Sequence, residues 1–112
     1  MVVDVIIPAF NEEASVALVI QDLPDLVREI IVVDNNSIDA TAARAKEAGA
    51  TVIEQRLQGY GNACLKGIAY VSLKNNPPDI VVFLDADYSD HPIELLDLIK
   101  PIHYENADLV IG

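Results

Sequence analysis

Short apolar segments rich in Val and Ile recur along the chain and are separated by longer polar and mixed stretches. Segments of this length and composition are typical of strands buried inside a sheet. They are residues 2–7, 30–33, 51–53, 80–84 and 109–111.

Between these segments, apolar residues recur at the spacing of an amphipathic helix. The helical stretches lie around residues 16–23, 42–48, 65–69 and 95–99. Pro24, Gly49, the Asn-Asn-Pro-Pro run at 75–78 and Pro101 follow them as stop signals. Asn11, either Ser37 or Asp39, and Asp90 are the expected N-caps. The alternation predicts an α/β fold, Rossmann-like, in which a mostly parallel sheet carries helices on both faces.

Composition bounds the size and class of the molecule. At 112 residues and 52% apolar content, the chain has enough material for the core of one domain, which we place over residues 1–112. Seven basic residues against eighteen acidic ones give a net charge of −11, which argues against nucleic acid and against electrostatic docking on anionic lipid. A bound phosphate would therefore need a cation, a helix N-terminus or a local basic cluster.

The single cysteine and the absence of a long apolar run point to the cytoplasm. Cys64 has no partner cysteine for an internal disulfide, and it is expected to be a buried, inert thiol. No uncharged apolar run approaches the roughly 18 residues of a membrane span, and Asp4 interrupts the apolar N-terminal stretch.

Polar clusters follow three of the predicted strands. They are residues 8–13 after the first strand, 34–37 after the second and 85–87 after the fourth. In open parallel sheets, ligands bind beyond the carboxyl ends of the strands, at the point where strand order reverses. Simple helix capping is the alternative explanation for Asn11, Asp34 and Ser37 taken singly.

The segment Asp85-Ala86-Asp87 is the most specific of these clusters. Side chains at positions i and i+2 of an extended segment point the same way, so Asp85 and Asp87 are expected to converge beyond the strand end. Mg²⁺ or Mn²⁺ characteristically sits between one or two carboxylates and the phosphates of a substrate. Asp85 and Asp87 are therefore candidate metal ligands, although acidic residues also end strands in ordinary solvated loops.

The loop at residues 55–62 carries Gly59 and Gly61 and precedes the third helix. Glycines let a backbone approach a ligand closely, and the N–H groups of a helix start attract anions. The pattern is not a Rossmann G-x-G-x-x-G, because Cys64 stands where the third glycine would be. The glycines also fit an ordinary turn. His91 is expected to be an exposed residue at a helix start, and His103 and Tyr104 carry no readable role.

Four ordered segments give the chain a family resemblance. With V-I-I-P-A-F-N-E-E, I-I-V-V-D-N-N-S-I-D-A-T, G-Y-G-N-A-C-L-K-G and F-L-D-A-D-Y-S-D-H-P in this order, it resembles family 2 glycosyltransferases, and most nearly the dolichol-phosphate mannose synthase type. The resemblance implies a GT-A fold that binds a nucleotide-diphosphate sugar, a GDP- or UDP-sugar, together with Mg²⁺ or Mn²⁺.

The strand-end clusters and the resemblance together give the candidate site residues. The candidate nucleotide-sugar-binding residues are Pro8, Ala9, Phe10, Glu12, Val33, Asp34, Asn35, Ser37, Gly59, Asp85, Ala86 and Asp87. By resemblance, Asp87 is the better candidate for direct metal ligation, Asp85 serves the metal or the ribose, and Ser89 flanks the phosphates.

Two departures from the family pattern limit what the resemblance implies. Where the family commonly has V-D-D-G-S, this chain has Asn35 and Asn36, so a carboxylate has become an amide and the base preference stays open. Family members also continue well beyond a fifth strand, so the chain corresponds to an N-terminal donor-binding half with the catalytic base expected beyond Gly112. The longer parent would be an inverting transferase to a polyprenyl phosphate or other acceptor, in the cytoplasm or at the cytoplasmic membrane face.

Two other classes of protein remain open from sequence. Residues 32–36 and 78–85 superficially resemble a response-regulator receiver, in which Asp85 would accept a phosphoryl group. The chain could instead be a truncated, non-catalytic nucleotide-binding fragment, or a truncated fold that binds nothing and associates through an uncovered sheet edge.

Overall fold

The computed structural model describes residues 1–87 and 108–111. In chain order the elements are β1 (Val3–Ala9), α1 (Val16–Gln21), β2 (Val27–Asp34), α2 (Thr41–Glu47), β3 (Thr51–Glu54), α3 (Tyr60–Ser72), β4 (Ile80–Phe83) and β5 (Asp108–Ile111). The predicted helix around residues 95–99, the expected N-cap Asp90 and the candidate Ser89 lie outside the described residues.

The described strands form one parallel sheet in the order β3-β2-β1-β4-β5. β1 is central: it pairs with β2 along its whole length and with β4 on its other side. The chain therefore runs outward from β1 through β2 to β3, and then returns to the other side of β1 for β4 and β5. This reversal leaves a crevice at the carboxyl ends of β1 and β4, where ligands bind in folds of this kind.

Helices cover both faces of the sheet, as the alternation of segments predicts. Val5 and Ile7 of β1 point toward the face covered by α1 and α2, whose contacts include Val19 and Ala45. Ile6 points the opposite way, into the layer formed by α3. All three β1 side chains have 0% exposure, because successive residues of a strand alternate between the two faces. The predicted α/β fold is confirmed.

β2 begins earlier than the sequence predicts. The apolar run starts at Ile30, but the strand starts at Val27 and so includes the charged residues Arg28 and Glu29. The register between β1 and β2 shifts at this point, from Val3 opposite Val27 to Asp4 opposite Glu29. Such an irregularity re-aims side chains, and the charges are tolerated in the strand because each has a partner in the structure.

An ion cluster forms those partners at the amino ends of the strands. The Asp4 carboxylate is fully buried, and it accepts hydrogen bonds from Arg28 Nε at 3.0 Å, Arg28 Nη2 at 2.7 Å and Lys74 Nζ at 2.8 Å. Lys74 also pairs with Glu29, which accepts a hydrogen bond from the Tyr70 hydroxyl at 2.8 Å. Burial raises the pKa of Asp4, but the hydrogen bonds and charges of Arg28 and Lys74 outweigh it, so the pKa lies below the ordinary value.

The sheet order excludes the response-regulator alternative. A receiver fold has the order 2-1-3-4-5, which for a receiver beginning at β2 would place β2 directly beside β4. In this structure β1 lies between those two strands and pairs with both. The prediction of a receiver-type phosphoacceptor module is therefore wrong.

The described helices start later than their expected caps. α1 begins at Val16 after Ser15, not after Asn11, and α2 begins at Thr41 after Ala40. Asn11 and Ser37 instead belong to loops that bond to each other across the crevice edge.

None of α1, α2 and α3, the helices in the part of the chain that the structure describes, is long and apolar enough to cross a membrane.

Candidate functional site

A pocket of about 470 Å³ opens at the carboxyl ends of β1, β2 and β4. Its lining residues are Pro8, Phe10, Glu12, Asn35, Gln58, Gly59, Tyr60, Asp85, Ala86 and Asp87. The volume lies within the range of small-molecule and cofactor sites, about 300–1,000 Å³. The pocket thus occupies the crevice that the strand order creates.

The position of Asp85-Ala86-Asp87 is fixed by contacts with β1 and α1. The Leu84 N–H donates to Ile6 O at 3.1 Å, which continues the pairing of β4 with β1. The Ala86 side chain is buried, and the Ala86 carbonyl accepts a hydrogen bond of 2.6 Å from Ser15 Oγ. With Leu84 and Ala86 held in this way, Asp85 and Asp87 on either side of Ala86 both line the pocket.

The two carboxylates suit a cation that is shared with a ligand. The segment turns at Ala86 and Asp87 instead of continuing as a strand, yet both Asp85 and Asp87 line the same pocket. Residues 1–87 and 108–111 contain no group of three or more His, Cys, Asp or Glu side chains arranged to hold a metal. Mg²⁺ and Mn²⁺ fit such a two-carboxylate site when phosphate oxygens and water complete the coordination.

Hydrogen bonds join the β1–α1 loop to the β2–α2 loop beside the pocket. Asn11 has a φ of 53°, a left-handed conformation that asparagine tolerates. Its N–H donates to Ser37 Oγ at 2.9 Å, and its side-chain oxygen accepts from the Ile38 N–H at 2.9 Å. The Ser37 N–H in turn donates to Asp34 Oδ1 at 3.1 Å.

A second set of bonds anchors Glu12, one of the lining residues. The Glu12 N–H donates to Thr41 Oγ1 at 2.9 Å, and Thr41 is fully buried at the start of α2. Hydrogen bonds from the Thr41 hydroxyl and backbone to Asp39 lower the pKa of that carboxyl. The ionised Asp39 therefore holds Thr41 in the orientation that receives the Glu12 N–H.

Asn35 joins β2 to the loop that precedes α3. It is 6% exposed, and its side-chain Nδ2 donates to Gln55 O at 2.9 Å and to Leu57 O at 2.8 Å. Its Oδ1 accepts from the Gly59 N–H at 2.9 Å. Gly59 has a φ of 130°, a backbone conformation that side-chain-bearing residues rarely adopt, and it is the residue from which α3 begins.

Comparison with known proteins fits this geometry. The model of the protein family described as glycosyl transferase family 2 matches residues 4–112. The chain belongs to glycosyl transferase family 2. Among family relatives, it is 36% identical over 110 residues to an uncharacterized protein of Methanocaldococcus jannaschii, covering 96% of this chain and 44% of that protein. It is 34% identical over 110 residues to Shigella flexneri RfbJ, covering 96% of this chain and 81% of RfbJ.

Solved structures identify the fold of this family 2 member as GT-A. The crystal structure of glucosyl-3-phosphoglycerate synthase from Mycobacterium tuberculosis in complex with Mn²⁺, UDP-glucose and phosphoglyceric acid matches with a TM-score of 0.76 and 34% identity. The match covers 89% of this chain and 39% of the synthase. Against two M. jannaschii relatives the chain likewise spans about half of their length, 44% and 49%.

The structure places most of the candidate residues of this family 2 member in one pocket. Pro8, Phe10, Glu12, Asn35, Gly59, Asp85, Ala86 and Asp87 line it. Four other candidates lie behind the lining: Ala9 and Val33 are buried in the sheet, and Asp34 and Ser37 bond to each other within the β2–α2 loop. A role in nucleotide binding stays a prediction for all twelve candidates.

Gln58, Tyr60 and Ser15 are site residues that sequence reasoning missed. Gln58 and Tyr60 flank Gly59 and line the pocket, so the glycine loop was the available signal for both. Ser15 gave no signal, because its contact with Ala86 joins residues that are 71 positions apart.

Cys64 lies close to the pocket as a protonated thiol. It is half-buried, and burial raises its pKa, with the charge of Asp85 acting in the same direction against a hydrogen bond with Tyr60. A raised pKa keeps the thiol neutral and makes it a poor nucleophile.

Proposed function

We propose that this chain forms the donor site of a glycosyltransferase, one nucleotide-sugar-binding domain over residues 1–112, and that it binds a UDP-sugar with Mg²⁺ or Mn²⁺. The observation that carries the proposal is the pocket at the strand-order reversal, which both Asp85 and Asp87 line. The similar M. tuberculosis synthase supports it, because that protein has been crystallised with Mn²⁺ and UDP-glucose.

Charge explains why the donor needs a cation. The chain carries a net charge of −11, and a diphosphate brought against Asp85 and Asp87 would meet further negative charge. Asp85 and Asp87 would hold the metal, which would offset the negative charge that develops on the leaving diphosphate.

Three other lining residues have chemistry suited to the rest of the donor. Phe10 and Tyr60 are 47% and 55% exposed, and both line the pocket with aromatic side chains. Aromatic faces of this kind stack on nucleobases and on sugars. Gly59 lets the backbone at the start of α3 approach the ligand closely.

For the whole enzyme, we propose transfer of the sugar to a phosphate-bearing acceptor. A polyprenyl phosphate, used at the cytoplasmic membrane face by an inverting reaction, is what the family resemblance of the motifs suggests. Phosphoglyceric acid is the second candidate, because it is present in the crystal structure of the similar synthase. Incubating the whole enzyme with UDP-glucose or GDP-mannose and one acceptor at a time separates the candidates. Product formed with phosphoglyceric acid but not with a polyprenyl phosphate would contradict the polyprenyl proposal.

Calorimetric titration of UDP into the protein, with and without Mn²⁺, tests the donor site. We expect binding that requires Mn²⁺, and we expect Asp87→Asn to weaken it by at least the roughly 10- to 100-fold that removal of an outer-shell partner costs a metal site. GDP in place of UDP reports the base preference.

The matched control for Asp87→Asn is Asp25→Asn. Asp25 is an exposed carboxylate in the turn before β2, at the end of the sheet opposite the pocket, so its substitution changes net charge equally. Equal affinity of the parent and Asp87→Asn for UDP with Mn²⁺ would overturn the proposed metal site. A loss of the same size in Asp25→Asn would mean that net charge, and not ligation, governs binding.

We also propose that the chain self-associates weakly through an edge of its sheet. β3 is the outermost of the described strands on one side, and an unpaired strand edge is a template for pairing with another chain. Sedimentation over a range of protein concentrations tests this, and a monomer at every concentration would contradict it.

A further inference from the structure

The side-chain amide of Asn35 is fully hydrogen-bonded within the protein. Both hydrogens of Nδ2 are taken by backbone carbonyls, those of Gln55 and Leu57, at 2.9 and 2.8 Å. Oδ1 accepts the Gly59 N–H. Only one orientation of the amide pairs its donors with carbonyl oxygens and its oxygen with an N–H, so the partners fix the assignment.

These three bonds connect β2 to one wall of the pocket. That wall consists of Gln58, Gly59 and Tyr60. Gln58 and Gly59 belong to the loop that bonds to Asn35, and Tyr60 follows that loop as the first residue of α3. The Gln55 N–H donates to Asp34 O at 3.0 Å, as in the adjacent sheet. After Gln55, the Asn35 side chain takes part in every hydrogen bond that joins this loop to the end of β2 in the described part of the chain.

We propose that Asn35 is a positioning residue for the donor: it holds the 55–59 loop and the start of α3 against β2, and so places Gly59 and Tyr60 for nucleotide binding. Its side-chain N–H groups do not read the base. This inference rests on the proposed function of the pocket as a donor site, and it assigns to Asn35 a role that differs from direct base contact.

The chemistry of the contact requires an amide. A carboxylate has the same shape but no hydrogen, so Asp at this position would place a negative charge against the carbonyl oxygens of Gln55 and Leu57. Each carbonyl would lose its donor, and the charge would be desolvated in a nearly buried position.

Trypsin cleavage after Arg56 tests whether Asn35 holds the loop. Arg56 has an 87% exposed side chain inside the held segment, so its peptide bond becomes a substrate when the loop opens. With both bonds to the carbonyl oxygens of Gln55 and Leu57 lost, and only the bond from the Gly59 N–H still available to a carboxylate, we expect Asn35→Asp to be cut between Arg56 and Leu57 at least about 10-fold faster than the parent. Asn75→Asp, the same change at an exposed asparagine remote from the pocket, is expected to match the parent.

The affinity for UDP with Mn²⁺ tests whether the loop positions the donor. We expect Asn35→Asp to bind at least about 10-fold more weakly than the parent at about pH 8, where the introduced carboxyl is ionised. Protonation would return one donor to the contact, so the ratio of variant to parent affinity should move toward one at about pH 5.5. Because the ionised carboxylate would also destabilise the fold, the affinities are compared where circular dichroism shows both proteins to be folded, and a role confined to overall stability would then leave the two affinities equal.

The two measurements separate the inference from the proposed function. If the parent protein binds no nucleotide, the proposed donor site and the donor role of Asn35 are both overturned. The rate of trypsin cleavage would still show whether Asn35 holds the loop. Equal cleavage of Asn35→Asp and parent would overturn the loop contact, and faster cleavage with unchanged affinity would overturn the positioning role. If Asn35→Asp does not fold, amide exchange in the parent decides: a Gly59 N–H that exchanges as fast as the Gly61 N–H would overturn the contact.

Discussion

At the scale of single residues, buried polar groups do two separate tasks at the two ends of the sheet. Asn35 and Thr41 use their side chains to hold loops around the pocket. Asp4 instead neutralises Arg28 and Lys74 at the amino ends of the strands. Each of these polar groups is hydrogen-bonded, at least in part to partners far away in sequence, which is the condition for burying it at tolerable cost.

Replacing Asp4 by Asn should destabilise the protein strongly at neutral pH. The change leaves Arg28 and Lys74 without their shared carboxylate, and removal of one partner from a buried ion cluster costs about 3–5 kcal/mol. Because Lys74 keeps Glu29 and both cations are partly exposed, we expect a loss near the lower end, about 3 kcal/mol, in urea unfolding. Asp25→Asn is the control and should change the free energy of unfolding by less than about 0.5 kcal/mol.

The same variant should show a defined dependence on pH. The pKa of Asp4 in the folded protein is below its ordinary value of 3.8, so the stabilisation that it supplies is present above that value. It is lost as pH falls through the folded pKa, and Asp4→Asn lacks this titration. The difference in unfolding free energy between parent and variant should therefore narrow below about pH 4, and a difference that stays constant as the pH is lowered well below 4 would contradict the assignment.

Sequence reasoning located the site but could not assign each residue its task. The polar clusters after β1, β2 and β4 were visible because strand ends are visible, and the parallel sheet brings them together. The role of Asn35 was not, since its partners are 20 to 24 positions away and a carboxylate or an amide suits a strand end equally well in sequence. Ser15 was missed for the same reason.

At the scale of elements, α3 approaches β1 unusually closely at Gly67. A Cβ built on Gly67 would lie 2.5 Å from Ile6 Cγ2, and Ile6 is a fully buried residue of the central strand. The glycine is therefore required by packing and not by backbone conformation. Gly67 lets α3 pack closely on the sheet, and Tyr60 at the start of the same helix lines the pocket.

Gly67→Ala should destabilise the protein although alanine favours helix. Overpacking a tight core typically costs about 1–3 kcal/mol, which exceeds the roughly 1 kcal/mol that alanine contributes over glycine in a helix interior. Gly61→Ala is a matched control in the same helix, because its Cβ would meet nothing within 4 Å. We expect urea unfolding to show Gly67→Ala below the parent and Gly61→Ala at or above it, and a stabilised Gly67→Ala would contradict the packing explanation.

Element boundaries show where apolar patterning stops being informative. The cores of all the described strands were predictable, because Val and Ile runs mark them. The start of β2 was not, since Arg28 and Glu29 read as loop residues until Asp4, Lys74 and Tyr70 are known to contact them. Ser15, the N-cap of α1, was equally hidden, because its side chain bonds to Ala86 and not to its own helix.

At the scale of the whole molecule, the parallel sheet separates binding from stability. The carboxyl ends of the strands meet at the pocket, where loops must accommodate a ligand. The ion cluster lies at the amino ends of the strands, at the other end of the sheet. β1 connects the two ends and is buried along its whole length, from Val3 to Ala9.

This arrangement predicts a gradient of protection in native-state hydrogen exchange. β1 is paired on both sides by β2 and β4 and covered on both faces, so its hydrogen-bonded amides should exchange only through global unfolding. β3 is paired with β2 alone among the described strands, and its side chains are only half-buried or exposed, so it should open at a lower free energy. We expect bonded β3 amides to exchange at least about 10-fold faster than those of Val5 to Ile7.

Measuring exchange at increasing denaturant distinguishes local opening from global unfolding: β1 amides should follow the global unfolding curve and β3 amides should not. Equal protection of β3 would mean that this edge is covered, and would favour self-association through it.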